Sequence, residues 1–145
     1  MVNIQVIGIA KATAFLNAKN KEALARANDA IKKAGFWIQK ELVASINGER
    51  VEPESVDTGF FKGSILSIFP TKLSANIGCN KYPVEYANNL EYSTKIKGGP
   101  RLHFAHTKTR NEKKVKDFVE AEIKTIGWLY VYTLNFALIR DLTHR

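Results

Sequence analysis

Val56-Asp57-Thr58-Gly59-Phe60-Phe61-Lys62-Gly63-Ser64-Ile65 is the stretch on which the fold turns, because it closes a helical half of the chain and opens a β-rich one. Its Asp-Thr-Gly supports two incompatible readings. In an aspartic protease, two such loops bring carboxylates close enough to share one proton and activate a water. The tripeptide occurs once here, so a protease would have to be a homodimer acting through Asp57. The bulky Phe60 stands where two such loops would crowd together, and the flanking pattern is helical rather than all-β. Read as a turn, the same residues need no partner chain. Asp57 bonds its own backbone two residues on, Gly59 admits positive φ, and Ser64-Ile65 begin a strand. A tripeptide without its structural context is a weak signature, and the turn reading is the stronger one.

Working outward toward the N-terminus, Leu24, Ala27, Ile31, Ala34, Ile38, Leu42 and Ser45 recur at spacings of three and four, which predicts a helix from about Lys21 to Ile46. Asn47-Gly48 stops it, since either residue takes the left-handed C-cap conformation. Glu49 to Ser55, with Pro53, then predicts an exposed loop. Val2 to Val6 alternates as a short half-buried strand, and Ile9 to Ala18 has helix-forming composition.

Toward the C-terminus, Ser64 to Phe69 is β-rich, and Leu73, Ala75, Ile77 and Cys79 alternate with polar residues or glycine as a strand should. A turn at Pro70-Thr71-Lys72 would pair the two. Cys79 ends the apolar face and reads as a small buried hydrophobe. Tyr82 to Thr94 predicts a short helix or turn, Gly98-Gly99-Pro100 a loop, and Leu102 to Ala105 a further strand. Asn111 is placed to cap a last helix carrying Val115, Phe118, Val119, Ile123 and Ile126, running on through Leu129, Leu134 and Leu138. The sum is an α+β fold: an N-terminal short strand and long helix, a small antiparallel sheet, and a long C-terminal helix. It forms one domain over 1–145, with a basic loop at about 95–114.

At 145 residues, such a chain buries roughly two-thirds of its unfolded surface without staples. Cys79 is the only cysteine, which excludes an internal disulfide and fits a reducing compartment. The first residues lack the basic and apolar regions of a signal peptide. The apolar run from Ile126 to Ile139 carries Thr133 and Asn135 and falls short of the ~18 to 20 residues of a membrane span, so no membrane role is expected.

The formal charge of +8 is concentrated. Lys95, Lys97, Arg101, Lys108, Arg110, Lys113, Lys114 and Lys116 stand against Glu112 alone, so this window holds +7 of it. That predicts a segment facing phosphates or acids. Phe104 is its only aromatic, which excludes a stacking, sequence-reading nucleic-acid module. His103 and His106 have a metal-like spacing, but no third ligand suggests itself and glycine and proline precede them, so they read as surface histidines beside a basic loop. Ser64 and Ser93 lack the partners of a triad, and Gly98-Gly99 lacks the Lys-Ser/Thr of a phosphate loop. No cofactor, metal or catalysis is expected.

The decisive stretch and Tyr86-Ala87-Asn88-Asn89-Leu90-Glu91-Tyr92-Ser93-Thr94 together resemble a family of minor structural proteins of tailed bacteriophages. These are the neck or tail-completion proteins named after the tenth gene product of a lambda-like Hong Kong phage. The likeness rests on Asp57-Thr58-Gly59 followed by an apolar residue, a basic residue and Ser64, and then on Tyr86, Ala87, Glu91, Tyr92 and Thr94. Ser93 stands where that family usually has Gly, and Gly99-Pro100-Arg101-Leu102 stands for its Ala-Arg-Pro-Phe. The resemblance implies a non-enzymatic virion protein, made in the host cytoplasm and assembled as an oligomeric ring at the neck or tail end. Its partners would be head-closure, tail-terminator or tail-tube subunits, around a channel for DNA. Within it, the basic window would contact DNA non-specifically or an acidic neighbour. Trp128, Tyr130, Tyr132 and Phe136 would form either a subunit interface or the monomer core. The alternative of another class is a free-standing basic nucleic-acid-binding domain.

Overall fold

The structure, a computed structural model, describes residues 3–7, 21–55, 59–79, 84–124 and 138–141. Its elements in chain order are β1 (Asn3–Ile7), α1 (Lys21–Ile46), α2 (Phe60–Gly63), β2 (Ile65–Ile68), β3 (Ser74–Cys79), α3 (Val84–Tyr92), α4 (His103–Lys124) and β4 (Leu138–Asp141). The fold is α+β. Its sheet runs β2-β3-β1-β4 with every neighbouring pair antiparallel. Expectations for Ile9 to Ala18, for Asp57 and Thr58, and for Trp128, Tyr130, Tyr132 and Phe136 lie outside the described residues.

The apolar stripe of α1 is the spine of the core. Leu24, Ala27, Ile31, Ala34, Ile38 and Leu42 are all buried, against Ile4, Ile65, Ala75, Ile77 and Cys79 from the sheet. Each large side chain in such a stripe stabilises the fold by about 1.5–3 kcal/mol relative to leaving it in water. α1 packs on β2 and β3, α4 packs on β1 and β4, and the two helices pack on each other. The helix pair therefore covers a single face of the sheet. Gly48 ends α1 with φ +74, where an added Cβ would lie 3.0 Å from that of Glu54.

Four sequence expectations are corrected downstream of Gly99. Leu102 to Ala105 is not a strand: α4 starts at His103. Asn111 is not a cap but an interior residue of α4, with its side-chain amide donating to the Thr107 carbonyl and its Oδ1 accepting from Trp37. The buried stripe of α4 runs His103, Phe104, Thr107, Asn111, Val115, Val119, so its first two turns bury polar side chains and hide their helical period from an apolar count. The basic segment is accordingly a loop only as far as Leu102, and Lys108, Arg110, Lys113, Lys114 and Lys116 are helical. Finally, Leu138 belongs to strand β4 rather than to a continued C-terminal helix.

Candidate functional site

The two segments that carry the sequence motifs meet in space. Gly59 takes φ 75, which lets the chain turn directly into the single turn of α2, and Ser64 closes that turn with its hydroxyl donating to the Phe61 carbonyl at 2.7 Å. Strand β2 then begins at Ile65 rather than Ser64. Buried Phe61 packs edge-on against Tyr86 of α3, with ring centroids 5.4 Å apart. Along α3, Ala87, Leu90 and Glu91 face inward, while Tyr86, Tyr92 and, in the turn beyond the helix, Thr94 are exposed.

Glu91 has a specific task. Its buried carboxylate accepts the Phe104 amide at 3.1 Å and the Ala105 amide at 2.7 Å, two of the donors that an α-helix leaves unpaired at its start. The Arg101 amide donates to the Leu90 carbonyl at 2.7 Å, and Leu102 sits at φ 52, an uncommon conformation for leucine. The α3 helix thus fixes where α4 begins, and a carboxylate at that end also suits the helix dipole.

Beneath this junction lies a polar hub that the sequence did not disclose. The loop after α1 was expected to be exposed, yet Glu52 and Ser55 are buried. Glu52 accepts from Ser45 at 2.7 Å, from His106 at 2.9 Å and from Arg110. Burial alone would raise its pKa, but the hydrogen bonds from Arg110 and Ser45 outweigh that and hold the carboxyl at about 2. His103, 1% exposed and no surface histidine, lies between Ser45 Oγ at 2.9 Å from Nδ1 and Ser55 Oγ at 2.7 Å from Nε2. Burial pushes its imidazole down to about 4 against the pull of Glu52.

The bond directions in the hub follow from donor chemistry. An ionised Glu52 only accepts, so Ser45 donates to it and must accept from the Nδ1–H of neutral His103. Nε2 is then left to accept from Ser55. This order, hydroxyl to imidazole to carboxylate, resembles a nucleophile's wiring with Ser45 inserted. Two features make it a tie instead: Ser55 is only 7% exposed, and an imidazole titrating near 4 is a weak base at neutral pH. Beside the hub, Arg50 grips Glu41 through Nε at 3.1 Å and NH2 at 2.9 Å and holds its carboxyl below the usual range.

Part of the basic window is engaged within the molecule. Arg110 is spent on Glu52, Lys116 lies 3.4 Å from Glu112, and Lys114 sits 3.6 Å above the Trp37 ring. Trp37 itself donates to Asn111 at 2.9 Å and packs edge-on against Phe118, so Lys114 forms part of the α1–α4 seam. Lys95, Lys97 and Lys113 are exposed, and Arg101 and Lys108 are partly so. His103 and His106 do share a helix, but their ring nitrogens face Ser45, Ser55 and Glu52, and no described group of three or more His, Cys, Asp or Glu could hold a metal ion. No described helix is long and apolar enough to cross a membrane.

A signal for the hub did exist in the sequence. Ser45 occupies the next position of the α1 apolar stripe, where a hydroxyl must find a buried partner. The chain matches no family model, no curated protein and no solved structure.

Proposed function

We propose that this chain is a non-enzymatic structural protein of a tailed-phage neck or tail end, which assists tail completion and head–tail joining around the DNA channel. The observation that supports it most is the junction of its two motif segments. Phe61 rests on Tyr86, and Glu91 holds the start of α4, so the described residues of the two motif segments serve to join secondary-structure elements. A ring subunit needs a rigid body with surfaces left for its neighbours. The exposed Tyr86, Tyr92, Phe36 and Ile68 are of the kind that fill such contacts. Head-closure, tail-terminator or tail-tube subunits would be the partners, and weak contacts repeated around a ring add up to firm assembly.

Deleting the coding sequence in the phage that carries it is expected to leave filled heads and tails unjoined or tails incomplete, with joining restored by the wild-type chain. Normal infectious particles from the deletion would overturn the reading. DNA contact is tested separately by replacing Lys95, Lys97, Lys108 and Lys113 with Ser. Arg110 and Lys114 are excluded because they hold the fold. Unchanged DNA retention would remove DNA from the list of partners. The nucleic-acid-binding alternative instead requires the isolated chain to bind duplex DNA, with affinity falling steeply as salt rises.

A further inference from the structure

We propose that the β2 edge of the sheet is a docking site for an extended, acid-flanked segment of a partner protein, which adds to the sheet as a further strand. β2 is an outer strand, and no described strand pairs with its far side. Such an edge offers backbone donors and acceptors to any extended chain. Here it is also apolar on both sides of the sheet. Leu66 and Ile68 project from one face and are 39% and 47% exposed. On the other face, Phe69 follows the strand and packs edge-on against Phe36 of α1, centroids 5.3 Å apart, with Phe36 56% exposed. Side chains of an incoming strand alternate between faces, so both of its sets would find apolar neighbours.

The template is pre-formed. Gln39 donates to the Ile65 carbonyl at 3.0 Å and accepts from Ser67 Oγ at 2.8 Å, while Ser67 also reaches the Gly35 carbonyl at 3.2 Å. These bonds fasten β2 to α1 from within and reduce the ordering that binding would require.

Charge selects the occupant. Lys62 precedes β2 and Lys72 follows it, while Lys32 and Lys40 lie one helical turn to either side of Phe36. All four are exposed, and none is ion-paired with a described residue. Asp29 on α1 only partly offsets them. Each apolar line thus ends in lysines, which suits a segment with Asp or Glu at both ends. A second copy of β2 pairing antiparallel would bring together two strand ends that each carry a lysine nearby, and that repulsion opposes self-association through this edge. The proposal does not rest on the virion reading, and its test uses the isolated chain.

The probe is a displayed library of random twelve-residue peptides, selected against the full chain. Enriched sequences are expected to alternate apolar residues between acidic ends, and to slow amide exchange within residues 65–69. Changing Leu66→Thr and Ile68→Thr together should lower the affinity of the selected peptide about tenfold at unchanged thermal stability, the loss of two cross-strand contacts. Basic or helix-periodic selections, protection elsewhere on the chain, or no enrichment at all would each overturn the proposal. A dimer in sedimentation that Ile68→Lys dissolves would overturn it in favour of a second copy.

Discussion

The hub around Glu52 and the edge along β2 reverse the usual placement of side chains in opposite senses. In the hub, Ser45, Glu52, Ser55 and His103 are buried, whereas along the edge Phe36, Leu66 and Ile68 meet solvent. Buried polar groups are tolerated only where each has a partner, and partners of fixed geometry define one arrangement of the loop, α1 and α4. Exposed apolar groups have no such demand on the chain itself. The contrast separates side chains that hold this molecule together from side chains left for another molecule. Substitutions should then divide cleanly: stability lost at the hub, association lost at the edge.

The harshest way to test that division is Glu52→Gln. It keeps the size of the side chain but removes the charge that Arg110 faces and turns one of the two acceptor oxygens shared by Ser45, His106 and Arg110 into a donor. Breaking a buried ionic hydrogen-bonded pair costs about 3 kcal/mol or more, and about 3 is the value expected here because Arg110 keeps some contact with water. Urea unfolding followed by circular dichroism measures it. A loss below about 0.5 kcal/mol, the size of an ordinary surface change, would dissolve the comparison.

Acid should reproduce part of that loss without a mutation. A free imidazole titrates at 6.5 and that of His103 at about 4, so between these values the unfolded chain binds the extra proton. Stability from this group is therefore complete above pH 6.5 and drains away as the pH falls toward 4, by up to about 3 kcal/mol. Glu52, held at about 2 against an ordinary 4.5, adds a second decline below pH 4.5. His103→Gln should be less stable at pH 7 yet nearly flat between pH 6.5 and 4.5. An equal slope in both proteins would assign the acid sensitivity to other groups.

The strands and helix that frame the edge were far more legible in the sequence than the hub, although the edge position of β2 itself comes from the sheet order. Alternation set β3, the apolar stripe set α1, and the turn after Phe69 set their order, because side-chain period reports directly which face is buried. β1 followed from the same rule. The hub escapes such a reading because its members are polar and lie far apart in the chain, and the polar start of α4 shows no apolar period that would separate it from a strand or a loop. His103, Thr107 and Asn111 follow helical spacing, but only pairing of His103 with Ser45 and Ser55, and of Asn111 with Trp37, explains why those two are inside. The cap on α4 comes from Glu91, twelve residues before His103, beyond the reach of local capping rules. Charge counting likewise could not show that Arg110 and Lys114 are already engaged.

Glu91→Gln tests whether that remote cap belongs with the hub. The amide of Gln can still accept a hydrogen bond but carries no charge for the helix end and brings donors into a site arranged for acceptors. A loss of about 1–2 kcal/mol is expected, in the range for removing a helix cap. Exchange of the Phe104 and Ala105 amides should quicken with it. If unfolding shifts while those two amides stay protected, the cost arises elsewhere in the α3–α4 junction.

The smallest expected effect on stability is the most informative about the edge. Leu66→Thr and Ile68→Thr keep β-branched or strand-compatible side chains on β2 and remove only exposed apolar surface, so each should change unfolding by less than about 0.5 kcal/mol. If either costs more than about 2 kcal/mol, the edge helps to hold the monomer and its exposure has another meaning. If both are silent in unfolding but abolish binding of the selected peptide, the two regions differ as argued. The hub would then keep the subunit rigid, and β2 would present that rigidity to a neighbour.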